Sequence, residues 1–397
     1  MITNILSILE KETKGNCYSS YRYCTDDELK VPTLNYDESV KFTIHPDRYG
    51  ETDASLKQTK DLTYLAKQLE KSEPLFKFFL DGSRRTYKVG DIEINGRIFP
   101  IISGQVGVAT CERRLDGTFR NLENDKNLII VIPREANPEQ SHPELFLNIL
   151  RDKINSLPTV KKIGIQFSKV LTYSSKLVED SKEPSNHYEM LGIAAIQDEM
   201  IDSEKRIVAS LTTKNTLNED NYLIKDGSLQ YKPMKTGEFK ELAKIKNNYR
   251  WVIGLSKRFN PEFSKDRGGK SNAASLAKLP LFHRTPAYKF QHDHDKWGYL
   301  GDFKYSVWYI RIRDTKYSDN LFAGIVKVEK ILITEDENNN GLDSGLVDYI
   351  SANVINERNP VCYGKDSRWA NHIYPIFVTE QYLKNSYLSD IHYLNIF

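Results

Sequence analysis

The sequence predicts a mixed α/β fold, and three observations lead to that prediction. Apolar runs with strand character occur in the first half of the chain and again in the second half. Between them lies a long proline-free stretch, 187–213, whose apolar residues supply a partly helical stripe. No repeat of fixed period is visible, so a solenoid is not expected. Strands on both sides of one long helix are typical of a mixed sheet flanked by helices.

The first 70 residues are expected to form an N-terminal extension of helical and irregular structure, ahead of one larger domain over 71–397. A short amphipathic helix is predicted within 1–15, and a second helix at about 58–72. The apolar face of the first helix is formed by Ile2, Ile5, Leu6 and Leu9. A helix this short is not stable alone, so its apolar face must pack against the chain's own core, a second copy or a partner.

The larger domain begins with three apolar runs that predict neighbouring antiparallel strands. They are PLFKFFLDGSRRTY at 74–87, RIFPIISGQVGVATCERR at 97–114 and NLIIVIPRE at 127–135. Helical spacing then predicts a helix at 143–156, before the long helix at 187–213. Four further strand-like runs follow: NYLI at 221–224, YRWVIGLSKRF at 249–259, SVWYIRIRDT at 306–315 and LFAGIVKVEKILI at 321–333.

Composition limits the classes of function. The net charge is only +2, so any nucleic-acid site must come from local clustering of Lys and Arg. The cysteines are Cys17, Cys24, Cys111 and Cys362. They contain no close pair, so a zinc site is not expected. No secretory signal or bilayer-spanning stretch is visible, and we therefore expect a reduced, cytoplasmic protein without membrane contact.

Two Asp-Gly-Ser motifs, at Asp81 and Asp226, carry the clearest chemical signal. Each follows an apolar run, which places a carboxylate at the inner end of a buried strand before a glycine that permits a tight turn. Carboxylates on neighbouring strands can share Mn²⁺ or Mg²⁺, which prefer oxygen ligands and can activate water for attack on a phosphate. Asp-Gly is also a common turn dipeptide, but two copies in the same context favour function.

Other residues could complete such a site. The long helix offers Glu199, Asp202 and Glu204, and their spacing alone does not favour one of the three. Basic residues follow two of the strands and could bind phosphates, with surface solvation as the alternative. These basic residues are Arg84, Arg85, Lys257 and Arg258. The run QHDHD at 291–295 contains His292 and His294, but we interpret it as a polar loop because no further ligand cluster accompanies it.

The ordered set of motifs resembles the NurA nuclease family over roughly residues 75–385. FFLDGSR at 78–84 resembles the family's first motif, and YLIKDGSL at 222–229 is similar to its Asp-Gly-Ser-Leu motif. Five further segments resemble family elements in the same order: DSEKRIVAS at 202–210, WVIGLSK at 251–257, the pair YIRI at 309–312 and VKVE at 326–329, and HIYPIFVTEQYL at 372–383. Each motif is short, and only the ordered set is specific.

The resemblance implies site residues as well as a fold. It makes Asp81, Glu204 and Asp226 metal ligands, and it adds Tyr374 as a catalytic residue. Glu204 is the better match to the family's helix glutamate, because Ala209 and the second motif follow it. The family usually has a His several residues after the tyrosine; the segment VTEQYLK at 378–384 has none, and Glu380 or Gln381 stands in its place.

The resemblance further implies an RNase H-like fold, a homodimer, and Mn²⁺- or Mg²⁺-dependent cleavage of DNA beside a HerA-type hexameric ATPase. Such a pair would process DNA ends in repair or degrade DNA in antiphage defence. The alternative is a catalytically impaired NurA-like subunit that binds DNA or regulates the ATPase, which the missing His favours. A third interpretation is an RNase H-like enzyme acting on RNA. Retention of both Asp-Gly-Ser motifs and Glu204 favours the active nuclease.

Overall fold

The computed structural model describes residues 4–18, 22–25, 43–53, 55–56, 58–139, 142–174, 184–230, 239–261, 270–291, 303–315, 321–358 and 371–397. Within these ranges, fourteen strands form one mixed sheet. The strands are β1 (Asn16–Tyr18), β2 (Tyr23–Cys24), β3 (Thr43–Tyr49), β4 (Lys60–Asp61), β5 (Phe76–Ile94), β6 (Arg97–Arg113), β7 (Phe119–Pro133), β8 (Phe167–Tyr173), β9 (Tyr222–Asp226), β10 (Val252–Ser256), β11 (His283–Arg284), β12 (Tyr288–Gln291), β13 (Lys304–Arg311) and β14 (Ile325–Leu332).

Helices pack on both faces of this sheet. They are α1 (Ile5–Thr13), α2 (Thr63–Leu69), α3 (Pro143–Ser156), α4 (Pro158–Ile163), α5 (Pro184–Thr213), α6 (Phe239–Asn248), α7 (Ala273–Ala277), α8 (Glu335–Asn340), α9 (Ser344–Asn356), α10 (Tyr374–Lys384) and α11 (Asp390–Leu394). The predicted mixed α/β class, with a sheet flanked by helices, is therefore confirmed. Helix α3 has the predicted bounds, α5 begins three residues before its predicted start, and α2 is shorter than predicted.

The main path through the sheet runs β3-β12-β13-β14-β10-β9-β5-β6-β7-β8. Strands β5, β9 and β10 are parallel neighbours at its centre, whereas β6 and β14 pair antiparallel on either side of this group. One buried apolar layer, which includes Leu80 and Leu223, lies under α5. The other layer, which includes Phe79, Ile224 and Leu255, lies on the opposite face under α9 and α10. Asp226 and Lys257 occur where β9 and β10 end, and Asp81 lies beside them within β5.

The first Asp-Gly-Ser motif does not end its strand, which corrects the sequence prediction. Strand β5 continues through Asp81, Gly82 and Ser83 as far as Ile94, paired with β6 along this length. The reason is that the polar residues after the motif still have a partner strand, because β6 returns antiparallel beside them. The second motif does make a turn, since Gly227 has a φ of +81°, in the left-handed region that favours glycine.

The first 70 residues add elements to the same sheet. Strands β1 and β2 pair with β5, β3 pairs with β12, and β4 pairs with β11. Helix α1 buries Ile5, Leu6 and Leu9, with Leu6 lying over Gly90 of β5. The apolar face of α1 is therefore covered by the chain's own core, which is one of the three possibilities that the sequence left open. Ile2 of the predicted apolar face lies outside the described residues, as do residues 292–295 of QHDHD.

None of the described helices combines the length and the apolar character that crossing a bilayer requires.

Candidate active site

Asp81 and Asp226 lie side by side on adjacent parallel strands. Leu80 of β5 pairs with Lys225 of β9, and the two aspartates are the next residues along each strand. Paired residues of parallel strands share a face, so both carboxylates project to the face that α10 covers. Asp81 is 5% exposed, and the Asp226 side chain is 23% exposed. The two Asp-Gly-Ser motifs thus place two carboxylates together at the end of β9.

The turn that follows Asp226 is held by a buried glutamate on β14. Glu329 accepts hydrogen bonds from the Ser228 hydroxyl at 2.8 Å, the Leu229 backbone N–H at 2.8 Å and the Gln230 side-chain amide at 2.7 Å. Lys327 pairs with the same carboxylate at 2.7 Å. Glu329 is fully buried, so these donors offset the cost of its desolvation. The serine of the motif therefore organises the turn.

A buried lysine follows β10 and reaches Asp226. The Lys257 ammonium Nζ lies 3.0 Å from Asp226 Oδ2 and donates a hydrogen bond to it. Burial alone would lower the pKa of Lys257, but the carboxylates of Asp226, Asp81 and Glu380 outweigh it and raise that pKa above its ordinary value. Lys257 is 8% exposed, so it is part of the carboxylate cluster and not a surface phosphate-binding side chain in this conformation.

Glu204 approaches from the other face of the sheet. It lies on α5, and its Oε1 would be 2.6 Å from a Cβ built on Gly82. Only a glycine leaves room for this approach, because the side chain of residue 82 projects opposite to that of Asp81. Glu204 Oε2 lies 3.0 Å from Lys225 Nζ in an ion pair, although this oxygen makes no hydrogen bond of good geometry.

The other two acids of α5 are engaged elsewhere. Glu199 pairs with Lys169 at 2.7 Å and with Arg206 at 3.1 Å. Asp202 has a side chain that is 58% exposed and pairs with Lys205 at 3.3 Å. Of the three helix acids considered from the sequence, Glu204 is therefore the one that the structure brings near Asp81 and Asp226.

Helix α10 brings Glu380 to the same cluster but not Tyr374. Glu380 acts electrostatically on both Asp81 and Lys257, and it also pairs with Lys384 at 2.9 Å. Tyr374 begins the helix, is 43% exposed, and packs its ring against Phe119 with 6.1 Å between the ring centroids. Six helical residues correspond to about 9 Å, so Tyr374 lies well along the axis from Glu380.

A second tyrosine lies closer to Asp81. The Tyr387 hydroxyl donates to the backbone carbonyl of Ser83 at 2.6 Å. Burial, with a smaller contribution from the charge of Asp81, raises the pKa of Tyr387 to about 12. Its hydroxyl therefore stays protonated at neutral pH and can act there as a hydrogen-bond donor.

The electrostatics of the cluster are dominated by buried carboxylates of like charge. Burial raises the pKa of Asp81 well above its ordinary value, and repulsion from Asp226 adds to this, while Lys257 opposes it. Burial likewise raises the pKa of Glu204, against the attraction of Lys225. Perturbed, mutually repelling carboxylates are more common at functional sites than in purely structural positions.

Strand geometry separates the basic residues expected to bind phosphates. Arg84 donates to Gln197 of α5 at 2.6 Å, whereas Arg85 pairs with Asp390 at 3.3 Å and lies over the ring of Tyr387. Neighbouring residues of a strand project to opposite faces, so these two arginines cannot line one surface. Arg258 is exposed. Phosphate binding by these residues stays a prediction.

The donor chemistry of the cluster fits a hard divalent cation, but the three expected ligands do not converge. Asp81 and Asp226 offer adjacent carboxylate oxygens on one face, as Mn²⁺ and Mg²⁺ require. Glu204 comes from the opposite face, and across the described residues no three His, Cys, Asp or Glu side chains are grouped to hold a metal ion. The cationic partner that the structure shows on Asp226 is the Lys257 ammonium.

Sequence reasoning missed Lys225, Glu329 and Tyr387. A signal existed for the first two, because each interrupts an apolar strand: Lys225 follows YLI, and Glu329 lies within IVKVEKIL. Charged residues are rarely buried unless they are paired, so such positions indicate buried ionic partners. Tyr387 had no local signal, since only the path of the chain after α10 brings it to Ser83.

Comparison with known proteins adds little to the site. No family model matches the chain, and no curated protein matches it either. Among solved structures, the chain is similar to the NurA nuclease from Sulfolobus solfataricus, with a TM-score of 0.39 and 12% sequence identity. That similarity covers 84% of this chain and 90% of the other. Likeness at this level does not establish a family, so the functional argument depends on the residues themselves.

Proposed function

We propose that this chain is a divalent-metal-dependent nuclease that hydrolyses phosphodiester bonds in DNA. The observation that carries the proposal is the pair of buried Asp81 and half-buried Asp226, side by side on parallel strands. Burial raises the pKa of Asp81, and repulsion from Asp226 adds to this. Burying such a pair costs stability, and apolar residues at the same positions would pack better. A site that concentrates negative charge in this way is suited to a cation.

Each residue of the cluster has a role in this proposal. Asp81 and Asp226 would hold Mn²⁺ or Mg²⁺, with Glu204 or Glu380 as the source of a further carboxylate oxygen. The bound metal would supply an activated water and stabilise charge on the phosphate. Glu329 fixes the turn that orients Asp226, and the Tyr387 hydroxyl donates to the Ser83 carbonyl and so holds the backbone beside Asp81. Tyr374 stays a predicted catalytic residue on the basis of the motif resemblance.

The choice of DNA, and of partners, depends on the resemblance of the motifs to the NurA family. We propose on that basis that the chain acts with a HerA-type hexameric ATPase, as a homodimer with an RNase H-like core. Processing of DNA ends in repair and degradation of DNA in antiphage defence are both consistent with this activity. Arg84, Arg85 and Arg258 stay the predicted contacts to the DNA backbone, although Arg84 and Arg85 lie on opposite faces of the sheet and would contact different parts of it.

The test is cleavage of linear DNA by purified protein with MnCl₂ or MgCl₂. Asp81→Asn and Asp226→Asn should each abolish cleavage, because Asn keeps the size but loses the charge that holds a cation. Asp202→Asn is the matched control: it lies on α5, is exposed, and should leave cleavage unchanged. If both active-site variants still cleave DNA, the assignment is wrong.

One observation favours the second candidate, a DNA-binding or regulatory subunit without cleavage. The described residues do not present three converging ligands, and Lys257 holds Asp226. A gel-shift assay with labelled DNA, run beside the cleavage assay, separates the two candidates. Binding with no cleavage at any concentration of either metal would support the second candidate and exclude the first.

A further inference from the structure

We infer that Lys257 occupies the position of a divalent cation on Asp226, and that metal binding proceeds by exchange with its ammonium group. This inference rests on the proposed function, because it concerns the same carboxylates. It makes Lys257 a positioning residue that sets how tightly the site holds a metal.

The first step of the argument is the location of the ammonium group. Lys257 Nζ lies 3.0 Å from Asp226 Oδ2 and is drawn there by Asp81 and Glu380 as well. An ammonium that satisfies a carboxylate oxygen in a buried site uses the same lone pairs that a hard cation needs. Ammonium and metal therefore compete for one oxygen.

The second step is that the ammonium can leave without movement of the backbone. The main chain of Lys257 is fixed, since its carbonyl accepts a hydrogen bond from the Asn371 side chain at 2.6 Å. The ammonium, in contrast, stands at the end of a flexible four-carbon stem. The exchange that we infer is therefore a change of side-chain rotamer on a fixed backbone.

The third step separates Lys257 from the other buried lysine of the cluster. Lys225 is 5% exposed, but its ammonium pairs with Glu204 on the opposite face at 3.0 Å. It also donates to the backbone carbonyl of Asp226 at 2.9 Å, and not to the carboxylate. Lys225 contributes positive charge nearby without occupying an Asp226 carboxylate oxygen, so its removal tests the loss of a nearby charge, together with the release of Glu204, without vacating Asp226.

The experiment is calorimetric titration of the full chain with MnCl₂ in metal-free buffer. Lys257→Met should bind Mn²⁺ at least about tenfold more tightly than wild type, because the competing ammonium is gone. Lys225→Met should tighten binding by less than about threefold, as expected of an indirect charge effect. Lys162→Met removes an exposed lysine on α4 and should match wild type.

A second measurement uses the wild-type protein alone and does not depend on the variants folding. Lys257 is 8% exposed, so acetic anhydride should label it slowly. Saturation with Mn²⁺ should increase that labelling, measured by mass spectrometry of the peptide, because exchange releases the ammonium. Labelling of Lys162 should stay constant and serves as the internal reference.

The outcomes separate this inference from the proposed function. One outcome is that wild type and Lys257→Met bind Mn²⁺ with equal affinity, while Asp226→Asn does not bind it. This would disprove the exchange but support the metal site. Equal tightening by Lys225→Met would also disprove it, since charge and not occupancy would then be responsible. If neither wild type nor Lys257→Met binds Mn²⁺, both the exchange and the metal-dependent nuclease are wrong.

Discussion

Asp81 and Asp226 have the same chemistry but different surroundings. Asp226 receives the Lys257 ammonium directly, whereas Asp81 is more deeply buried and is repelled by Asp226. A buried charge that is repelled by its neighbour lowers the stability of the fold. Removing one charge of a buried pair, in contrast, leaves the other charge without a partner and is destabilising. The two aspartates should therefore respond in opposite directions to the same substitution.

We predict opposite changes in the free energy of unfolding for these two residues in EDTA. Asp81→Asn should leave stability unchanged or raise it by up to about 2 kcal/mol, as relief of an active-site conflict often does. Asp226→Asn should lower it by about 3 kcal/mol, because the buried Lys257 loses its partner. Urea denaturation at pH 7 measures both changes.

The control for this prediction is Asp202→Asn, whose exposed side chain should change stability by less than about 0.5 kcal/mol. Destabilisation by Asp81→Asn as large as that by Asp226→Asn would mean that both carboxylates are structural. Stability equal to wild type in all three variants would instead mean that Lys257 does not depend on Asp226.

At the scale of the element, β5 shows what the sequence could and could not predict. The apolar run FKFFL predicted the strand, and the motif predicted a carboxylate on it. The extension to Ile94 was not predicted, because residues after Ser83 are polar and their strand conformation depends on pairing with β6. Pairing is a tertiary property that local propensity does not encode.

Helix α5 gives a similar lesson. Helical periodicity predicted most of its length, and the match of DSEKRIVAS to a family motif singled out Glu204. The face from which Glu204 reaches the sheet was not predicted, since it depends on how α5 packs over Gly82. For this reason the sequence predicted that three ligands converge, whereas the structure places only Asp81 and Asp226 on one face, with Glu204 on the other.

The close approach of α5 to β5 leads to a prediction for Gly82→Ala. A Cβ at residue 82 would lie 2.6 Å from Glu204 Oε1, so the glutamate must move. The matched control is Gly104→Ala on β6, where a Cβ would lie 2.8 Å from Ile196 of the same helix and would not touch Glu204. Both substitutions should cost about 1–3 kcal/mol of stability by overpacking.

Only Gly82→Ala should also reduce DNA cleavage, because only this variant displaces a residue of the proposed site. The ratio of the two cleavage rates, measured at a temperature where both proteins are folded by circular dichroism, isolates the role of Glu204. Equal rates in the two variants would remove Glu204 from the catalytic cluster.

At the scale of the whole molecule, the N-terminal elements belong to the common sheet. Strands β1 and β2 pair with β5. Helix α1 packs over β5 beside α3, and Glu12 of α1 pairs with Lys153 of α3 at 2.7 Å. Periodicity predicted α1, but no local feature could identify which surface would cover it. Since the core of the chain covers its apolar face, α1 contributes to folding and is not the expected dimer contact.

The last prediction tests that role of α1 with Leu6→Ala and Leu9→Ala. Leu6 is 6% exposed and Leu9 is fully buried, so each truncation should cost about 2–5 kcal/mol of unfolding free energy through lost burial and a cavity. Glu10→Ala, on the exposed side of the same helix, should change stability little. Urea denaturation measures stability, and light scattering measures the oligomeric state of the folded protein. A leucine variant that keeps its stability but changes its oligomeric state would show that the face of α1 binds a second copy in solution, contrary to its packing in the structure.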